Sequence, residues 1–304
     1  MALGGNPIFN GKNFRGATQA PPVAQAPYGQ QPYGQQPYGQ PYGQQPYAQG
    51  GGPQQQNMTN EQLQQMYNQP AAGPADTGRM TFDDVIVKTA ACLGVLVAGA
   101  AVTLFVGQSL AMLLMVVGAL GGFVLALVNT FKKQPSPALI LTYAGLEGLF
   151  LGGLTRFLDA LYPGVGLQAV IGTLSVFGVT LLLFKNGKVR ATPKAMRFFM
   201  IATIGYAVFA LINMVLMLTG AVDSPFGLRS GVVIFGIPLG VFIGVLAIGL
   251  AAFSLIMDFT SIEAGVRSGA PQRFSWTAAF GLTVTLVWLY VEIIRLLAIL
   301  RGDD

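Results

Sequence analysis

Four ionisable residues stand in stretches that are otherwise almost wholly apolar: Glu147 in LTYAGLEGLFLGG, Asp258 in LIMDFTSIE, and Glu292 with Arg295 in VWLYVEIIRLLAIL. A charge at the centre of a bilayer costs at least about 2.5 to 3.5 kcal/mol, so such residues turn inward and mark ion or proton pathways. Two readings are open. In the first, Glu292 and Arg295 neutralise one another as an i,i+3 pair, and Asp258 is solvated at the membrane edge. In the second, Asp258 and Glu292 meet inside a bundle as an ion- and pH-sensing pair. Two carboxyl groups in one dry site resist simultaneous ionisation, so such a pair can hold a shared proton or exchange it for a cation. Oxygen-only ligands favour a hard cation such as Ca²⁺, which makes Asp258 and Glu292 the candidate metal ligands. Glu147, Arg295, Lys132 and Lys133 are candidate modulators of the pair.

Other chemistry is excluded by composition. The chain has no histidine, which removes His-based triads and His-ligated zinc. Its one cysteine, Cys92, leaves no intramolecular disulfide and no multi-Cys metal site. Cys92 lies in an apolar run and reads as a buried, inert thiol. No catalytic residue is identified, and the chain does not read as an enzyme.

The elements that must position the charges are membrane helices. Apolar residues make up 53% of the 304 and charged residues 10%, against about 25% charged in a soluble domain. Seven apolar stretches are long enough to span, at approximately 85–107, 110–131, 138–158, 165–184, 198–220, 231–257 and 274–300. Each must be helical, because lipid offers no partner to a free backbone amide. Thr81, Asp83 and Asp84 suit the N-terminus of the first. Gly118, Gly121 and Gly122, and Gly148, Gly152 and Gly153, are small residues at helical spacing that let backbones approach. The links after spans two, four and six carry nine Lys and Arg, and the alternate links carry two, Arg156 and Arg229. The positive-inside rule then places the N-terminus in the cytoplasm and the C-terminus outside.

A hairpin of spans six and seven turning near Gly269 puts Asp258 11 residues before the turn and Glu292 23 after it. A symmetric hairpin would offset the two acids by about 12 residues, or about 18 Å. Tilt or an irregular turn would have to absorb that.

Residues 1–80 differ in kind. Positions 27–49 repeat a Pro-Tyr-Gly/Ala-Gln unit with Tyr28, Tyr33, Tyr38, Tyr42 and Tyr47, and the first 60 residues hold no Asp or Glu. With little aliphatic surface to bury, this segment reads as a disordered cytoplasmic tail. It is either a solvated tether or a self-associating, partner-recruiting segment. No apolar core follows Lys12, so it does not read as a signal peptide. Residues 81–304 form the membrane domain.

MDFTSIEAG and TLVWLYVEIIRLLAILRG resemble the last two spans of the Bax inhibitor-1 family. NPIFNGKNFRG, GRMTFDDVIVKTA, KKQPSPALILTYAGLEGLFLGG and RSGAPQRFSWTAAFGLTVTLVW are similar to its actinobacterial branch. The resemblance covers about residues 78–302, with the short start motif added. It implies an all-α seven-helix bundle around a central last helix, in a bacterial cell membrane. It further implies a pH-sensitive calcium leak gated by an acidic pair. Asp258 and Glu292 take the positions of the family's two aspartates, and Lys132 or Lys133 that of a basic residue that can pair with them. Glu292 is one methylene longer than the family's Asp. Arg295 stands where Asn is common and competes for Glu292. Glu147 lies outside the shared pair. Two functions stay open: a cation leak, or a non-conducting membrane regulator of stress survival or of membrane protease activity through protein–protein contacts. No cofactor is expected beyond calcium as permeant or ligand. Expected partners are the lipid bilayer, membrane proteins and a second copy through the QPYGQ tail, but no nucleic acid.

Overall fold

The computed structural model describes residues 78–187, 191–222, 224 and 226–302. The tyrosine repeat and the expectations attached to it lie outside them. Seven helices are long and apolar enough to cross a membrane. In chain order they are α1 (Phe82–Phe105), α2 (Gln108–Phe131), α3 (Pro137–Leu161), α4 (Val165–Lys185), α5 (Pro193–Leu218), α7 (Leu239–Arg267) and α8 (Ser275–Arg301). A one-turn helix α6 (Leu228–Gly231) and two short strands, β1 (Val233–Ile234) and β2 (Ile237–Pro238), fill the link between α5 and α7.

Helix α1 begins where its sequence provides a cap. The Thr81 hydroxyl oxygen accepts from the Asp84 amide at 3.1 Å, and the Asp84 carboxylate accepts from the Thr81 amide at 3.2 Å. This reciprocal pair satisfies two of the donors that a helix start leaves open. The same end is tied to the turn between α7 and α8. The Met80 amide donates to the Ala270 carbonyl at 2.7 Å, the Gln272 amide to the Gly78 carbonyl at 2.8 Å, and the Gln272 side chain to Asp84 at 2.8 Å. Thr81→Ala should therefore lower stability by about 1 kcal/mol. The loss would be read as a lower melting temperature in detergent, and an unchanged one would mean that the turn contacts alone hold this end.

Helix α3 is gripped by α1 and α2 through glycines. Gly148 and Gly152 lie one turn apart on the face toward α1, where an added Cβ would run into backbone atoms of Leu96 and Ala100. Gly118 of α2 approaches the backbone of Leu146 and Phe150 just as closely. With no apolar–aqueous difference to drive helices together in lipid, this close backbone packing is what joins them.

Helix α8 is the axis of the bundle and packs against α7, α1, α4 and α3. Its most apolar window is 67% buried, whereas that of α5 is 6% buried. Helix α5 is thus peripheral. It is fastened by the Phe199–Phe253 ring pair at 5.3 Å, the Tyr206–Trp288 pair at 6.0 Å, and the Asn213 amide.

The sixth span departs from the sequence reading. Residues 231–238 are apolar enough to continue a membrane helix, yet they form a tight β-turn ribbon. Phe235 and Gly236 both have positive φ, 52° and 78°, as a two-residue hairpin loop requires. Pro238 then supplies the entry into α7. Helix α7 consequently starts at Leu239 rather than near 231, and runs on to Arg267, past Asp258, instead of stopping at 257.

Candidate functional site

Asp258 projects from α7 and is fully buried. The Thr285 hydroxyl of α8 donates to its carboxylate at 2.7 Å, and the Ser254 hydroxyl lies 3.5 Å from that of Thr285. Asp258 is therefore well inside the protein rather than at a solvated edge.

Glu292 sits on α8 seven residues beyond Thr285, two helical turns or about 10 Å along the axis. Its partners are different. The Arg229 guanidinium of α6 lies 3.3 Å from one carboxylate oxygen, and Arg295 donates to the other at 2.9 Å. The Tyr206 hydroxyl of α5 also donates to Glu292, and Arg229 donates to the Tyr206 oxygen at 2.8 Å. The two acids thus lie at separate levels along the α7–α8 contact, with a hydroxyl beside one and two guanidinium groups beside the other. The offset of about 12 residues expected of a symmetric hairpin is reduced to the seven that separate Thr285 from Glu292.

The turn from α7 into α8 accounts for the register. Gly269 has φ of +67°, and a 3-10 turn at Gln272–Phe274 leads into Ser275. Asp258 then comes opposite Thr285, short of Glu292. Thr285, Trp288 and Glu292 follow at i, i+3 and i+7 and share one face of α8. Trp288 separates the two polar levels and packs against the group of Phe199, Leu250 and Met257.

Arg229 reaches the interior because its turn is clamped. The Asn213 side chain accepts from the Leu228 amide at 2.7 Å and donates to the Phe226 carbonyl at 3.2 Å. Gly227 turns the chain there with φ of +61°. The guanidinium carbon then lies 5.4 Å and 5.6 Å from the ring centres of Tyr206 and Phe209, a favourable setting for a desolvated cation. The sequence reading counted Arg229 only as a loop charge and passed over Tyr206. The available signal was a lone arginine between apolar neighbours in FGLRSGVVIF, beside a lone Asn213 in an apolar span.

The other candidates lie elsewhere. Glu147 is buried on α3 against α2, where a Cβ on Gly122 would come within 2.8 Å of its carboxylate. Lys132 and Lys133 are exposed at the end of α2, and among the described residues their side chains form no hydrogen bond or ion pair. Cys92 is buried. Among the described residues no group of three or more His, Cys, Asp or Glu could hold a metal ion. The Asp258 level offers a carboxylate and two hydroxyls, all hard oxygen donors. At Glu292 both carboxylate oxygens face cationic donors, so a metal ion could bind there only after the guanidinium groups withdraw.

The family model described as Bax inhibitor 1 like matches residues 6–302. Among curated proteins none matches the chain.

Proposed function

The chain belongs to the Bax inhibitor 1-like family, and we propose that it is a cation-leak protein whose path follows one face of α8. The path is closed by the latch that Arg229, Arg295 and Tyr206 make with Glu292. The observation that carries this reading is the spacing of Thr285, Trp288 and Glu292 on that face. A hydroxyl–carboxylate level and a guanidinium–carboxylate level lie one above the other on the face that also carries Trp288. Charged groups are kept at membrane depth only against a substantial cost, and both levels border the bundle's axis. Helix α5 is the least buried of the seven spanning helices. It carries Tyr206, which binds Glu292 and covers Trp288. Release of Tyr206 and Arg229 from Glu292 frees α5 to swing from Trp288 and join the two levels.

The permeant is a hard cation of the calcium type, drawn by the oxygen donors around Asp258. The negative charge of the Asp258 carboxylate attracts the cation, so a neutral side chain at this position should lower the flux. The protein lies in a bacterial cell membrane with its N-terminus in the cytoplasm, as the charge asymmetry of the links favours.

Liposomes holding the purified full-length chain and a calcium-sensitive dye test this reading. Wild-type flux, measured between about pH 8 and about pH 5, should be lower at the acid end, where carboxylates lose their charge. Asp258→Asn should flatten that dependence, while Glu263→Gln, whose carboxylate pairs with Arg267 at 2.5 Å, should preserve it. Absence of flux across the whole range would favour the non-conducting regulator instead.

A further inference from the structure

We propose that the cleft beside Arg295 binds a phosphate group, which acts as a fourth member of the Glu292 latch. The consequence for gating rests on the reading above, but the binding itself does not. The cleft is a cavity of about 430 Å³ between α5, the α6 turn and α8. Arg229 and Arg295 line it together with the apolar Met214, Met217, Leu218 and Phe226.

Charge balance is the first argument. Among the described residues Arg229 and Arg295 share the single carboxylate of Glu292, which leaves one positive charge in excess there. In a medium of low dielectric an uncompensated charge is costly, and an anion removes the excess. Donor supply is the second. Arg229 already gives its two terminal nitrogens to Glu292 and Tyr206. Both polar atoms of the Asn213 side chain are also engaged. Arg295 is different: among the described residues only one of its nitrogens donates, to Glu292. A guanidinium has five N–H donors in a planar fork that matches two oxygens of a phosphate. Its side chain is 29% exposed, against 3% for Arg229, so the remaining donors are accessible from the cleft.

Depth is the third argument. Arg295 lies six residues before Arg301, the last residue of α8, which is about 9 Å along the axis. An arginine side chain so near the end of a membrane helix can snorkel toward lipid phosphates. The methionines and Phe226 provide an adaptable apolar wall for the glycerol and upper chain of such a lipid. Free phosphate would use the same fork without that wall. Either anion brings the cluster to neutrality and holds the latch shut.

Thermal unfolding of the full-length protein in a neutral detergent, with native mass spectrometry of retained lipid, tests the proposal without any flux measurement. One arm adds inorganic phosphate against chloride of equal ionic strength. The other adds phosphatidylglycerol against diacylglycerol, which has no phosphate. At least one phosphate-bearing probe should raise the melting temperature saturably. Arg295→Gln should weaken that response about tenfold or more, as the loss of a charge-assisted fork requires. Arg295→Lys should weaken it less, and Arg267→Gln, an exposed site, should leave it intact. Response to phosphatidylglycerol alone identifies a lipid headgroup, and an equal response to inorganic phosphate identifies a free anion. Either supports the site. No response to either probe, or an Arg295→Gln protein that responds like wild type, overturns it. Because Arg295→Gln leaves Glu292 paired one-to-one with Arg229, the variant retains a balanced core. A chain that binds phosphate but passes no cation would sink the leak reading and leave this one standing.

Discussion

Glu292→Gln should be the most destabilising single charge change in the bundle, and clearly worse than Arg229→Gln. Among the described residues Glu292 is the one acid paired with Arg229 and Arg295, and its loss takes the counter-charge from both guanidinium groups. Removing one member of a buried pair costs about 3 to 5 kcal/mol, most of it from the charge left behind. Arg229→Gln has the opposite arithmetic. Glu292 keeps Arg295 and the Tyr206 hydroxyl, and the cluster becomes neutral. Its loss should be the smaller one, limited to one ion pair and the ring contacts of Arg229. The double variant should recover part of the Glu292→Gln defect, because only Arg295 then remains charged and it is partly exposed. Unfolding curves of the four proteins in one detergent measure this. If Arg229→Gln proves as damaging as Glu292→Gln, the excess positive charge is being neutralised by something other than Glu292.

Gly148→Val should disrupt the packing of α1 on α3. A Cβ at this position would lie 2.9 Å from the Leu96 carbonyl carbon and 3.0 Å from the Ala100 amide, and closer still to the Leu96 carbonyl oxygen. These are backbone atoms, so no rotamer change relieves the clash and the helices must separate. Overpacking in a tight core costs about 1 to 3 kcal/mol or more, and here separation would also loosen the Gly152 contact one turn further along. Gly178 of α4 is the control, since an added Cβ there meets nothing within 4 Å. Gly178→Val should retain most of the wild-type melting temperature while Gly148→Val loses much of it. Equal behaviour of the two would mean that α1 and α3 are not held by backbone approach.

The number of spans could be read from the sequence because an apolar run of about 20 residues has few alternatives to a membrane helix. The cap at Thr81 was visible for a similar reason, as it depends on residues three apart. Residues 231–238 were misread because hydropathy reports the solvent that a segment prefers, not the path of its backbone. Val232 to Ile237 are apolar, yet Gly236 and Pro238 end helical geometry. At the site, burial of Asp258 and Glu292 was legible from their apolar flanks, and the Glu292–Arg295 contact from its i,i+3 spacing. Their other partners were not. Tyr206 and Arg229 reach Glu292 across 86 and 63 residues of chain, and only tertiary packing makes them neighbours. The symmetric-hairpin offset of about 12 residues is partly absorbed by the irregular turn at Gly269 and Gln272–Phe274, which brings Asp258 opposite Thr285 and leaves Glu292 seven residues further on. Similarly, GRMTFDD and GAPQRF were noticed as two separate motifs, and in the fold they are two sides of one contact, through Met80–Ala270 and Asp84–Gln272.

The claim that the Glu292 latch closes a cation path is tested most directly by calcium flux in liposomes that carry Glu292→Gln or wild-type protein at equal density. The comparison is made at neutral pH and below the melting temperature of the variant. Tyr206→Phe, which removes one hydroxyl and keeps both ion pairs, serves as a milder opening. The account predicts the highest flux for Glu292→Gln, an intermediate flux for Tyr206→Phe and the lowest for wild type. Flux through folded Glu292→Gln protein that is equal to or below the wild-type value would contradict it.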